Sequence, residues 1–263
     1  MKLAVNYSNP LIGLLKEGAV KIDLIKCPDW EGMITEARPY GQIGLHFDLE
    51  VGFGNTFRAD FSRIHKLLET TATPHVNTHL VTPRGFNPGS PAELKRINTL
   101  WRDEIQHMRD HLDTYAVALE NLPFTNANMH LQPAANPEIF SQVVEDTGCM
   151  FLLDLAHARI AADSSNVDVK AYLHALPTDR LVEMHITGIK IHGGVLTDHF
   201  ELNEEDWTVF RWALDEIHAG RWRKPEIVAF EYGGIGQTFV WRSEYSVLKE
   251  QILILYEMVA GLG

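Results

Sequence analysis

The stretch NPEIFSQVVEDTGCMFLLDLAH (136–157) joins a helix to a strand and ends in two polar side chains. Its first half is bounded by Asn136, a typical helix cap, and by Gly148, a typical helix end. The apolar run CMFLLDL that follows predicts a strand covered on both faces, as in a parallel sheet. Asp154 and His157 form a D-x-x-H pair where this strand ends. The stretch therefore predicts one helix–strand unit with reactive side chains at the carboxyl end of the strand.

The same alternation of helix and strand recurs along the chain. Strands are predicted for eight short apolar runs: LAVNY (3–7), KIDLIKC (21–27), QIGLHFD (42–48), HVNTHLV (75–81), YAVALEN (115–121), CMFLLDL (149–155), RLVEMHI (180–186) and EIVAFEY (226–232). Helical spacing of apolar residues is found in residues 57–72, 93–115, 136–148, 203–220 and 244–261. This alternation is typical of the α/β class and of a (β/α)8 TIM barrel. Because no linker divides the chain, we expect a single domain, residues 1–263.

Three longer stretches without a clear period are predicted to be loops. They are residues 82–91, 122–135 and 188–202. Each follows a predicted strand, and barrel enzymes carry their active sites on the face where the strands end. We therefore expect these loops to border the site.

Composition and charge argue against several classes of protein. The formal net charge is -12 at pH 7, with 35 acidic and 23 basic residues, so a broad nucleic-acid-binding face is not expected. Cys27 and Cys149 lie in strand-like runs and imply no disulfide framework. Neither a signal peptide nor an apolar run of membrane-spanning length is evident. We expect a cytoplasmic protein with a small-molecule or peptide substrate and no membrane partner; the sequence leaves its oligomeric state open.

Polar side chains close six of the predicted strands. They are His46, His79, Glu120, Asp154 with His157, His185 and Glu231. Because the carboxyl ends of barrel strands meet at one mouth, these side chains are expected to converge. Mixed imidazole and carboxylate donors suit iron, zinc or manganese better than magnesium or calcium. The sequence therefore predicts a site for two or three divalent metal ions, and carboxylates can bridge such ions.

Four further residues are candidates for supporting or extending this site. Glu183 shares a strand face with His185, and is either a ligand or the hydrogen-bond partner of one. His75 shares a strand face with His79 and is either a core residue or such a partner. Asp198 and His199 lie in the loop after the seventh strand.

The ordered set of strand-end residues resembles the ligand series of the endonuclease IV and xylose-isomerase-like TIM-barrel superfamily. The phrases ALEN (118–121) and LLDLAHA (152–158) resemble its strand-end motifs. EMHITG (183–188) is similar to the E-x-H-x-x-G motif of one branch, the multinuclear non-heme iron oxidative enzymes, which contains the methanobactin-biosynthesis oxidase. Two other segments, YSNPLIGLLKEGAVKIDLIK (7–26) and LENLPF (119–124), also resemble that branch. The resemblance implies a metal-dependent oxidoreductase that oxidises cysteine-containing peptides, using two or three iron ions and dioxygen.

The resemblance also divides the candidate ligands among three metal ions. The implied sets are His46, His79 and Glu120; Glu120, Asp154, His185 and Glu231; and His157, His199 and the open candidate Asp198. Glu120 would bridge the first two ions. Arg159 and Lys190, expected in loops at the mouth, would bind a carboxylate or phosphate of the substrate.

Two other enzyme classes remain open. A sugar or sugar-phosphate isomerase or epimerase needs one divalent ion and would use Glu120 and Glu231 as its acid/base pair. A zinc-dependent abasic-site endonuclease shares the ligand order, although the acidic charge argues against it. A barrel that binds metal without catalysis is the fourth reading, because a fold alone does not prove an activity.

Overall fold

The computed structural model describes residues 1–235 and 242–261. Eight of its strands follow the predicted runs closely, and three were not predicted: Glu50–Val51, Gly188–His192 and Val195–Phe200. In chain order, the strands are β1 (Lys2–Asn6), β2 (Leu24–Pro28), β3 (Ile43–His46), β4 (Glu50–Val51), β5 (His75–Leu80), β6 (Ala116–Glu120), β7 (Met150–Asp154), β8 (Leu181–Ile186), β9 (Gly188–His192), β10 (Val195–Phe200) and β11 (Ile227–Phe230).

Helices occupy most of the remaining sequence. They are α1 (Asn9–Lys16), α2 (Glu31–Ala37), α3 (Phe61–Thr70), α4 (Pro91–Leu112), α5 (Gln132–Ala135), α6 (Pro137–Thr147), α7 (Leu155–Ser164), α8 (Val169–His174), α9 (Glu204–His218) and α10 (Tyr245–Ala260). The predicted cap is confirmed, because the side chain of Asn136 accepts from the backbone of α6. The side chain of Asn203 caps α9 in the same way. None of the described helices combines the length and hydropathy that a bilayer span requires.

The first of two compact units comprises residues 1–46, 71–73 and the described part of 183–263. Its parallel strands pair in the order β3-β2-β1-β11-β8. Ala4 and Leu24 pack with Ile227 and Ala229 in its interior. Because all of these strands run in parallel, their carboxyl ends lie along one edge.

The second unit comprises residues 47–70 and 74–182. Its parallel strands pair in the order β7-β6-β5-β4. Within it, the fully buried carboxylate of Glu104 on α4 accepts hydrogen bonds from Gly52 N at 2.6 Å and from Thr56 N and Oγ1 at 3.2 and 2.6 Å. This side chain therefore fixes the segment that follows β4.

The structure corrects two of the three predicted loops. Residues 188–202 contain the antiparallel hairpin β9–β10, and residues 122–135 contain a 3-10 helix (Asn126–Leu131) followed by α5. The hairpin turns at Gly193 and Gly194, whose φ angles of 60° and 84° are left-handed. Two glycines between two strand-like runs are a hairpin signal that the sequence carries and that the loop prediction passed over.

Burial protects both thiols, and this gives a first expected outcome. Cys27 and Cys149 are free and buried, and burial raises the pKa of their thiols to about 12 and about 11 respectively. At pH 8 the reactive thiolate is thus scarcer by roughly 100- to 1000-fold than in an exposed cysteine. We expect the native chain to react slowly with Ellman's reagent and the chain in guanidinium to release two thiols at once. Fast reaction of either thiol in the native chain would contradict this.

Candidate metal centre

In the second unit, three buried side chains bring donor atoms together at the ends of β6 and β7. One ligand atom from each of Glu120, Asp154 and His157 lies within 4.8 Å of the others. His157 Nδ1 is 3.7 Å from Glu120 Oε1, and His157 Nε2 is 3.7 Å from Asp154 Oδ2. Glu120 is the last residue of β6 and Asp154 the last of β7, so adjacent parallel strands deliver both carboxylates to the same edge. We call these three residues the Glu120 group.

Asp154 has a second task in this group, because it caps the helix that carries His157. Its Oδ1 accepts from the backbone N–H of His157 at 2.8 Å, which starts α7 directly after β7. An aspartate at this position stabilises a helix start and leaves its other oxygen for a different contact. The D-x-x-H spacing therefore reflects one helical turn between the cap and the histidine.

Asn121, a residue that the sequence analysis did not single out, locks this arrangement. Its side chain donates to Asp154 O at 2.9 Å and accepts from Asp154 N at 2.8 Å, while its own carbonyl oxygen lies 2.8 Å from His157 Nδ1. A proton on Nδ1 that is donated to this carbonyl leaves the Nε2 lone pair of His157 for a metal. The asparagine of ALEN, next to a strand-end glutamate, was the available signal.

His79 lies beside the Glu120 group. It pairs in register with Glu120 across β5 and β6, and its Nε2 is 3.2 Å from Glu120 Oε2. The two oxygens of Glu120 therefore point to different histidines. A carboxylate in this arrangement can contact two positively charged groups at once, one through each oxygen.

The first unit holds a donor set of its own residues, which we call the His185 group: His46, His185 and Glu231. His46 ends β3, His185 lies on β8, and Glu231 directly follows β11. The rings of His46 and His185 are 5.6 Å apart, and His185 Nδ1 is 3.3 Å from Glu231 Oε1. His185 is fully buried, so its orientation is fixed by these contacts.

The opposite nitrogen of His185 is engaged by two charged side chains. Its Nε2 lies 2.9 Å from Glu183 Oε1 and also contacts the ammonium of Lys26. Lys26 forms an ion pair with the same Glu183 oxygen. Glu183 is thus the partner of a candidate ligand, one of its two predicted roles, whereas Lys26 was missed because a lysine in an apolar strand run gives no metal signal.

Charge around Glu231 favours its ionised form. Burial alone would raise the pKa of this carboxyl, but the positive charges of His185, Lys26, His199 and His46 together lower the pKa below its ordinary value. An ionised carboxylate is the form that binds a metal. The His185 group therefore offers two imidazoles and one carboxylate.

Asp198 and His199 lie on β10 with an unusual backbone. His199 has a φ of 60°, a region that few residues other than glycine adopt, at an irregularity in the β9–β10 pairing. Its Nδ1 is 2.8 Å from Glu231 O, and Asp198 O accepts from Arg242 Nη1 at 3.0 Å. Neither residue joins a three-residue donor set within the described part of the chain. Their role in a third metal site stays a prediction.

The structure places two predicted substrate-binding residues on regular elements and not in loops. Arg159 was expected in a loop, but α7 begins at Leu155, so Arg159 is a half-buried helical residue. Lys190 lies on β9, where it pairs with Glu201. His75 is buried on β5, the strand that also carries His79. Substrate contacts by Arg159 and Lys190 stay predictions.

Comparisons with known proteins identify a family that the sequence matches. Residues 89–220, half of the 263-residue chain, match the family described as RiPP precursor modification enzyme MbnB/TglH/ChrH. A UPF0276 protein of Caulobacter vibrioides (strain NA1000) is 31% identical over 203 residues, covering 72% of this chain and 68% of the relative. A UPF0276 protein of Chromobacterium violaceum is 28% identical over 197 residues, covering 66% of each chain. The chain spans about two thirds of the length of these curated relatives.

Solved structures with the same fold confirm the predicted fold class. A D-psicose 3-epimerase has a TM-score of 0.61 at 15% identity, covering 99% of this chain and 100% of the other. A family 2 AP endonuclease from Brucella melitensis has a TM-score of 0.57 at 15% identity, covering 94% of this chain and 96% of the other. These likenesses show the predicted α/β TIM-barrel fold; the domain boundary 1–263 stays a prediction. By its sequence, the chain belongs to the family of RiPP precursor modification enzymes MbnB/TglH/ChrH.

Proposed function

We propose that this metal-dependent TIM-barrel enzyme oxidises a cysteine-containing precursor peptide with a di- or trinuclear iron centre. The observation that carries the proposal is the pair of donor sets, the Glu120 group and the His185 group, in a chain of this family. Six residues with only nitrogen and oxygen donors exceed what one ion needs and match the ligand preferences of iron, manganese and zinc. That both groups belong to a single centre stays a prediction.

The chain's own residues would hold the metal in defined ways. Glu120 and Asp154 contribute negative charge in a buried setting, where a cation is stabilised far more than in water. His157 would bind through Nε2 and His185 through Nδ1, because their other nitrogens are engaged by Asn121 and Glu183. Bound iron supplies one-electron redox chemistry with dioxygen. Peptide binding would place a cysteine thiol against this donor surface.

Metal analysis of protein purified without oxygen tests the proposal. We expect two or three iron ions per chain and, on addition of air and a cysteine-containing precursor peptide, a change in peptide mass and a ligand-to-metal absorption band. Chelation should abolish the reaction, and iron should restore it. Full activity of a colourless, iron-free zinc form would refute the iron proposal while leaving the metal sites intact.

A one-metal isomerase or epimerase is less well supported. One ion would leave one of the two donor sets without a purpose, although each buries a carboxylate that is costly to bury without a partner. A zinc abasic-site endonuclease also remains a candidate and predicts nicking of an abasic DNA duplex. Nicking by the zinc form, with no reaction on peptides, would favour it over the proposed oxidase.

A further inference from the structure

Lys26 is a buried cation at the edge of the His185 group. It lies on β2, is 4% exposed, and its ammonium forms an ion pair with Glu183. The same ammonium contacts His185 Nε2 and lies 3.9 Å from Glu231 Oε1. A buried lysine is costly unless carboxylates balance its charge, so this position is built for a positive charge.

Two nitrogen atoms lie at one oxygen of Glu183. The Lys26 ammonium and His185 Nε2 both lie at Glu183 Oε1, the latter at 2.9 Å. In the tautomer that carries its proton on Nε2, His185 donates to Glu183 and keeps its Nδ1 lone pair, and Nδ1 is the nitrogen that faces Glu231. Lys26 therefore neutralises the charge of Glu183, and Glu183 orients the ring of His185.

We infer that Lys26 takes the place of a metal ion beside Glu183 and so limits the number of ions that the first unit binds. The inference rests on the proposed function, since it assumes that the His185 group holds an ion. A divalent ion bound by Glu183 would have to share its oxygen with the ammonium, and the two positive charges would repel each other at close range. Glu183 is thus a positioning residue, and His185 binds metal through Nδ1 alone.

Replacing the lysine by a neutral side chain of similar length should release Glu183 as a ligand. We expect the variant Lys26→Met to bind one more Co²⁺ per chain than the natural protein when both are saturated anaerobically. The count is made by elemental analysis after removal of excess ion, and the visible spectrum of Co²⁺ should change with the added carboxylate. The number of Co²⁺ ions bound per chain is the readout, so the test does not require activity.

The double variant Lys26→Met/Glu183→Gln distinguishes two effects: the loss of the Lys26 charge, and the release of Glu183 as a metal ligand. It removes both members of the ion pair, so neither is left buried alone, and its Co²⁺ count should equal that of the natural protein. Arg221→Met, which breaks the ion pair with Glu216 in the same unit, is a matched control and should leave the count unchanged. A double variant that lost one ion would show that Glu183 is a ligand and would overturn the inference. Failure of Lys26→Met to gain an ion would overturn it as well.

Failure of the proposed function has a different signature. His46→Ala and Glu231→Gln remove candidate ligands of the His185 group and should each lower the Co²⁺ count by one. If both variants keep the full count, the first unit holds no metal, and the proposed function fails together with this inference. If both lose an ion while Lys26→Met gains none, only the inference fails.

Discussion

Glu120→Gln is expected to remove at least one metal ion per chain and to lower peptide oxidation by more than about 100-fold, beyond the 10- to 100-fold cost of losing a mere partner of a ligand. Glu120 is 1% exposed and faces His79 at 3.2 Å through one oxygen and His157 at 3.7 Å through the other. An amide keeps the shape but loses the charge that holds a cation in a buried site. Iron content and turnover with the same peptide measure the effect.

The matched control is Glu138→Gln in the same unit. Glu138 is an exposed carboxylate in the first turn of α6, outside the Glu120 group, so the change removes one charge from the surface only. Metal content and turnover should stay near those of the natural protein. Equal metal loss in both variants would mean that overall charge, and not the Glu120 group, governs binding.

The second large effect concerns stability. Glu104→Gln is expected to lower the free energy of unfolding by about 3 kcal/mol, because hydrogen bonds to a buried charge contribute more than neutral ones and an unmet buried donor is costly. Glutamine has one acceptor oxygen, whereas Glu104 uses both of its oxygens for Gly52 and Thr56. The side-chain NH2 group of the glutamine would face one of the donors of Gly52 or Thr56 and could not accept from it. Urea unfolding followed by circular dichroism gives the difference.

Asp103→Asn is the control for that experiment. Asp103 is the neighbouring residue on α4 and is exposed, so its substitution changes the charge of the helix by the same amount without touching the segment after β4. We expect a change within about 0.5 kcal/mol, as for most surface substitutions. A similar loss in both variants would assign the effect to helix charge and refute the role given to Glu104.

The barrel could be predicted from the sequence because its signals are local. Each predicted strand is a short apolar run, and the long helices α4, α6 and α9 begin at a capping side chain. The eight predicted strands are therefore found with ends shifted by a few residues. The strand-end residues of the Glu120 and His185 groups followed from that placement. Arg159 was misplaced because no local feature told a loop from a helix capped by Asp154.

The residues that support the donors could not be predicted in the same way. Lys26 meets Glu183 across 157 positions of the chain, and Asn121 meets Asp154 across 33. Neither pairing leaves a local pattern, because each depends on where strands that are distant in sequence lie in the folded sheet. Strand order, and not residue type, was the missing information.

Asp154, at once donor and helix cap, ties the chemistry of the chain to the placement of α7. Since the aspartate and His157 flank the first turn of this helix, both move when the helix moves. The buried face of α7 is lined by alanines, among them Ala158 and Ala161. Larger side chains there would tilt the helix and alter metal preference while every ligand stayed the same. Laboratory evolution of metal selectivity in this chain should therefore start at this alanine face.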